Sequence, residues 1–400
     1  MSGYTTRTRG AYNQGRMVLI RPALLALILT MVSGQALAHI KWFAHVQLQQ
    51  APRAPWQLWQ EGFGFAGLSL MAIVVMSLVA MLDARLSRRS KPAAVPLGDN
   101  TLTAIRLACS VFFAANAAYF MDTPVILTPE LHTQQAWVPV VQWLIAVTAA
   151  TGHGRLAALG VLSLYGEGLA QYGLFHMLDY VLFPGLALCL WWSQARRPRH
   201  VQALLILRWA LGWSLLWGAA EKWLYPEWTY PLLCGDGRSL LMGLSPAFFM
   251  QGAGFIEFCA AFALIYGAVA SRVASLLLIG LMCAAMPMFG FIDVIGHAPF
   301  IVALAALASC RHNPLADAHL PSTPWRYALR WAGLLLLILP TLLFAYYLAH
   351  EMLWDLRDLS FLPCAMALPL LLLLADARQL PDILRRHQAS TQVATQVSMH

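Results

Sequence analysis

From residue 62 onward, long apolar runs alternate with short polar connections. Eleven runs come near the roughly 20 residues that a spanning helix needs: 62 to 83, 102 to 121, 137 to 152, 156 to 176, 178 to 194, 202 to 222, 252 to 270, 273 to 292, 297 to 311, 328 to 349 and 361 to 376. The runs are continuously apolar and do not alternate with period two, so they predict helices and not the strands of a barrel. Basic residues fall at every second connection: Arg85, Arg88, Arg89 and Lys91; Arg155; Arg196, Arg197 and Arg199; Arg272; Arg311, Arg326 and Arg330; and Arg378, Arg385 and Arg386. By the positive-inside rule these connections are expected to face the cytoplasm. The intervening ones, among them "MDTPVILTPELH", "FHMLD" and "DVIGHAP", are expected to face outward.

The front of the chain follows a different pattern. Arg7, Arg9, Arg16 and Arg21 precede the apolar stretch "ALLALILTMV", which is followed by Ala36-Leu37-Ala38. Basic region, short apolar core and small-x-small site are the parts of a secretory signal. Residues 1–38 therefore read as a signal peptide or as an uncut anchor helix. If the signal is removed, His39 gains a free amine, and that amine with a ring nitrogen and the imidazole of His45 makes a copper-binding set; nitrogen ligands suit copper and zinc. If it is kept, Lys41, Trp42, Trp56 and Trp59 read as headgroup-level anchors. Either way, residues 39–61 form an outward, periplasmic segment.

Composition sharpens this picture. The chain is 60% hydrophobic and 11% charged, against about a quarter charged in soluble domains. The expected fold class is an all-α polytopic transmembrane bundle of about eleven helices, in contact with membrane lipids. The net charge of +8 is accounted for by the inward connections, and no basic-aromatic patch points to nucleic acid. The seven cysteines include no CxxC pair and no zinc spacing. No P-loop, dinucleotide fingerprint, HExxH or GxSxG element is present. Residues 62–100 read as the first spanning helix with a basic cytoplasmic loop, 328–376 as a C-terminal helix pair, and 377–400 as a polar cytoplasmic tail.

An internal repeat organises the middle. "IRLACSVFFAANAAYF" resembles "LRWALGWSLLWGAAEKWL", with Arg106 and Arg208 near the inward ends. Gln142 and Gly152 are spaced as Glu257 and Gly267 are, and basic turns follow at Arg155 and Arg272. Two four-helix modules are expected, 101–195 and 202–311. The second resembles the DoxX-like family of small four-helix membrane proteins, in Arg208, Gly212, Gly218, Lys222, Gly254, Glu257, Gly267 and Arg272. That resemblance implies quinone-linked redox work with a partner subunit, or help in maturing periplasmic redox enzymes. The first module departs from the pattern, with Phe120 in place of Lys222 and Gln142 in place of Glu257, so family chemistry is expected of the second.

An ionisable group within a span is costly and usually faces a bundle interior or a cavity. Glu221, Lys222, Glu257, Asp293 and His297 all fall at the outward ends of the second module's helices and are expected to share one layer. Glu257, Glu221, Lys222 and Asp293 are the candidate catalytic groups. His297, Glu257 and Lys222 are the candidate contacts to a quinone, because quinol oxidation releases two protons and needs bases near the headgroup. His132, His176 and Asp179 make a second outward set, His350 and Glu351 a third, and Glu167 sits mid-span. Arg106 and Arg208 are expected to snorkel to the inner surface. The leading expectation is a bacterial inner-membrane protein serving a periplasm-facing, quinone-linked redox system. The alternatives are copper handling through His39 and His45, and transport of a small solute. No paired broken-helix pattern, the usual mark of a transporter, stands out in the sequence.

Overall fold

The computed structural model describes residues 42–43, 50–60, 63–89, 100–194, 197–235, 238, 241, 243–310, 313, 316 and 323–353. His39, His45, the signal or anchor segment, the run at 361–376 and the tail lie outside these residues.

Among the described residues the architecture is helical and is carried by α1 (Phe63–Arg89), α2 (Asn100–Tyr119), α3 (Trp137–Ala150), α4 (Gly154–Met177), α5 (Leu182–Trp191), α6 (Arg197–Leu224), α7 (Pro246–Tyr266), α8 (Val269–Ser309) and α9 (Pro324–Leu353). Every apolar run up to residue 349 becomes helix. Proline and serine set some of the starts. α7 begins at Pro246, with Ser245 Oγ accepting from Phe248 N at 3.3 Å, because proline costs nothing at the first helical position and a serine cap satisfies an orphan N–H.

Among the described residues, six helices are long and apolar enough to cross a membrane, or seven if the bent α4–α5 pair is taken as one span. The ten apolar runs up to residue 349 thus yield fewer full-length spans: α3 has 14 residues, and two other helices are broken. α4 breaks at Gly173 (φ 79°, ψ 167°) and α8 at Gly290 (φ 70°, ψ −153°), a region of backbone space open essentially to glycine alone. After Gly173 a short 3₁₀ turn, Leu178–Tyr180, leads into α5, and the two helices meet at 81°. The chain has then reversed: Gln194 donates to Gly152 O, and the Arg155 guanidinium sits 5.7 Å from the Trp191 ring. α8 reverses likewise, since Arg272 Nε near its start donates to Ala308 O near its end at 2.9 Å. Each break is therefore the tip of a hairpin.

α2 to α5 form one ring of neighbours, with α2 against both α3 and α5. α6, α7 and the two arms of α8 form a second group, joined to the first where α5 meets α6 and α8 meets α2. α1 and α9 pack on each other and against the second group. The surface is apolar, with Leu70, Val74, Leu78, Leu107, Val111, Val140, Leu144, Leu329 and Leu336 exposed, whereas soluble monomers rarely expose large contiguous apolar patches. The long apolar helices and this surface are compatible with a multi-pass membrane protein in contact with lipid.

Candidate functional site

Charged side chains collect where α6 ends and the two hairpin tips lie. Lys222, in the last turn of α6, places Nζ 2.5 Å from Glu257 Oε2 on α7, and both residues are buried. The pair sits where α6 has no side chain of its own in the way: a Cβ added at Gly218 would lie 3.6 Å from Glu257 Oε1. At the second tip, His297 Nδ1 lies 3.1 Å from Asp293 Oδ1, one turn away on α8, and both are fully enclosed. Asp293 Oδ2 is buried with no hydrogen-bond partner among the described residues, an acceptor in need of a donor.

Of the five residues expected to share a layer, Lys222 pairs with Glu257 and Asp293 with His297, on the neighbouring helices α6, α7 and α8. Glu221 turns to α9, where Tyr346 Oη lies 3.5 Å from its Oε2. Trp42 packs its ring 4.7 Å from that of His297, and Phe43 stacks 4.5 Å from Phe289 beside the Gly290 break.

The first tip carries a second cluster. His176 Nε2 is 2.9 Å from Glu130 Oε1, and Tyr180 Oη donates to the same carboxylate; all three residues are buried or nearly so. The sequence reading singled out His176 and Asp179 but not Glu130 or Tyr180. The only signal for Glu130 was a carboxylate in the outward connection "MDTPVILTPELH". His132 is not part of the cluster through its side chain; its carbonyl accepts from Tyr172 Oη at 2.7 Å. Glu167 is served by its own helix, through Gln171 Nε2 at 2.5 Å, and not by a neighbouring one. His350 is buried, with its ring 5.1 Å from that of Phe175.

Arg106 and Arg208 both bond backbone carbonyls of a neighbouring helix. Arg208 is buried and donates to Leu264 O at 2.7 Å and to Ser271 Oγ. Arg106 donates to Ala149 O and, at 3.3 Å, to Ala150 O. Each neutralises carbonyls near the C-terminal end of the next helix, which lack intrahelical partners and carry the negative end of the dipole.

Asp83 on α1 was also missed. It is buried, and its two oxygens accept from Ala268 N and Ala270 N at 2.8 Å each, capping the start of α8 from another helix.

A narrow apolar fissure of about 60 Å³ lies between α6, α7 and α9, lined by Trp209, Trp213, Phe262, Tyr266, Ile338 and Leu342 among others. Among the described residues no group of three His, Cys, Asp or Glu side chains is arranged to hold a metal ion. No family model, curated protein or solved structure matches this chain.

Proposed function

We propose that this chain is a DoxX-like inner-membrane protein, the membrane component of a periplasm-facing, quinone-linked redox system, built from tandem four-helix modules. The buried Lys222–Glu257 pair carries the reading, together with the buried Asp293–His297 pair on the helix that neighbours α7. Such a pair is weak evidence for stability, because desolvating two charges costs about as much as their attraction returns. Its presence inside a bundle points to function.

The modular part of the reading is supported by contacts that recur at matching spacing. Arg106 reaches Ala149 as Arg208 reaches Leu264, and these acceptors are spaced from Gln142 and Glu257 alike. Gln194 bonds the Gly152 carbonyl, and Asn313 Nδ2 bonds that of Gly267 at 2.8 Å. Arg155, Gly173 and Trp191 keep the same intervals as Arg272, Gly290 and Ala308.

The residues present fit a quinone. Lys222 is a donor for a carbonyl oxygen, Asp293 Oδ2 is an acceptor still without a donor, and the fissure between α6, α7 and α9 offers apolar walls to an isoprenoid tail. When bound, a quinone supplies a carrier of two electrons and two protons. The chain's own part is to hold and move protons. Glu257, kept close to Lys222, accepts a proton with the ammonium left to balance the site, and His297 exchanges one with Asp293 through Nδ1. Surrounding Trp, Phe and Leu side chains exclude water, which strengthens each of these interactions.

Glu257→Gln keeps the volume and one hydrogen-bond acceptor for Lys222 but removes the titrating group. Quinone-linked activity in membranes is expected to fall by about a hundredfold, the low end of about 10²–10⁴ for a general base, with membrane expression unchanged. Equal activity in the variant would overturn the assignment.

A further inference from the structure

The two hairpin tips correspond residue by residue. Measured from the breaks at Gly173 and Gly290, His176 stands where Asp293 does and Tyr180 where His297 does. In the second group the pair is complete on one arm, with carboxylate and imidazole one turn apart. In the first, the tip itself supplies imidazole and phenol, and the missing carboxylate comes from Glu130, on the connection between α2 and α3. Phe120 and Gln142 make this half look like degenerate scaffold in the sequence. The structure shows a buried acid, imidazole and phenol there instead, at the place where the other half keeps its own acid and imidazole. Helices broken at corresponding positions of two repeats commonly mark an intramembrane binding site, and chains of Asp, Glu and His within a span commonly carry protons.

We propose that Glu130, His176 and Tyr180 form a proton-exchanging site in the first module, linked through Asp179 to Lys222 and Glu257. Asp179 follows His176 on the turn joining α4 to α5 and is itself buried. The turn that carries it packs on α6, the helix of Lys222: Trp213 Nε1 donates to Leu178 O at 3.2 Å, and Leu182 N donates to Ser214 Oγ at 3.1 Å. The ligand is the proton, and the step moves no electrons. With the proton on Glu130 the pair is carboxylic acid and neutral imidazole; with it on His176 Nε2 the pair is carboxylate and imidazolium. Tyr180 donates to the carboxylate and so favours the second form. Other titratable groups around the cluster are Tyr172 and Tyr165 of α4, and Tyr346 and His350 of α9, packed about Phe175. Arg106 and Asp83 bond at the opposite ends of the helices, by Ala149 and Ala268.

This inference goes beyond quinone chemistry and is tested without it. Difference infrared spectra of the full chain in lipid, free of quinone, are recorded across a pH titration, with the Glu130 and Glu257 carboxyl bands identified by their loss in Glu130→Gln and Glu257→Gln. The expected result is a titrating Glu130 band, a midpoint for Glu257 that shifts in Glu130→Gln, and loss of that shift when Asp179→Asn is added. Tyr180→Phe, which keeps the ring in place, is expected to move the Glu130 midpoint. If Glu130→Gln does not fold, His176→Gln provides the same comparison. A Glu130 carboxyl that never changes protonation, or a Glu257 midpoint identical with and without the first-module change, overturns the proposal and leaves the cluster a purely structural tie.

Discussion

In the proposed second module Lys222 and Glu257 close on each other across α6 and α7. At the matching positions of the first, Phe120 is packed in the core, and Gln142 donates to Val125 O at 2.7 Å and Ile126 O at 3.1 Å. The amide does for the loop what a charge could not do cheaply: it ties buried carbonyls to a helix without bringing a second ion inside. The same frame thus holds a charged pair in one half and a neutral brace in the other. The difference shows that the arginine ties and glycine breaks form the scaffold, while the side chains at the tips are free to differ.

The largest effect that would sharpen this comparison is expected at Lys222. Lys222→Met leaves Glu257 buried without its cation and should cost about 3–5 kcal/mol, while replacing both partners with apolar residues should restore most of it; thermal unfolding in one detergent measures both. Phe120→Met, the matching change in the first module, should cost under about 1.5 kcal/mol as a near-conservative core swap. Equal losses would break the contrast.

Next comes the borrowed cap. The start of α8 depends on Asp83 from α1, whereas the matching turn before α4 is closed locally by Thr151 Oγ1 and His153 Nδ1 at 3.0 Å. Asp83→Ala removes two hydrogen bonds to a charged acceptor and is expected to cost about 2–3 kcal/mol. Thr151→Ala, on an exposed turn, should stay within about 0.5 kcal/mol.

The smallest effect concerns the shared feature. Gly173→Ala and Gly290→Ala should each cost about 1–3 kcal/mol, because both force a side chain into backbone space meant for glycine. Near-equal values would support the common frame. A large loss at one position alone would show that the two tips are not equivalent.

Much of the frame is legible in the sequence. Continuous apolar runs locate the helices, and the spacing of Arg106, Arg208, Gly152 and Gly267 is what the proposed repeat rests on in the sequence. What those arginines do was not legible: the acceptors, Ala149 and Leu264, offer only carbonyls, and a backbone oxygen leaves no mark in the sequence. Gly173 and Gly290 look like any glycine in an apolar run, since only the positive φ separates a hairpin tip from a helical position. Of the site, Lys222, Glu257, Asp293 and His297 stood out because charge within a hydrophobic stretch is conspicuous. Glu130 and Asp83 did not, because each lies in a connection or near a basic helix end, where a carboxylate is ordinary. Their burial is created by partners distant in the chain.

Trp42 and Phe43 rest on the tip of α8, with the indole over His297 and the phenyl ring on Phe289. What is attached ahead of residue 42 therefore pulls on the lid of an enclosed acid and imidazole. A leader exchanged for expression, or an affinity handle fused at that end, acts as an unintended mutation of the site, and a handle inserted in an exposed connection elsewhere is the sounder control.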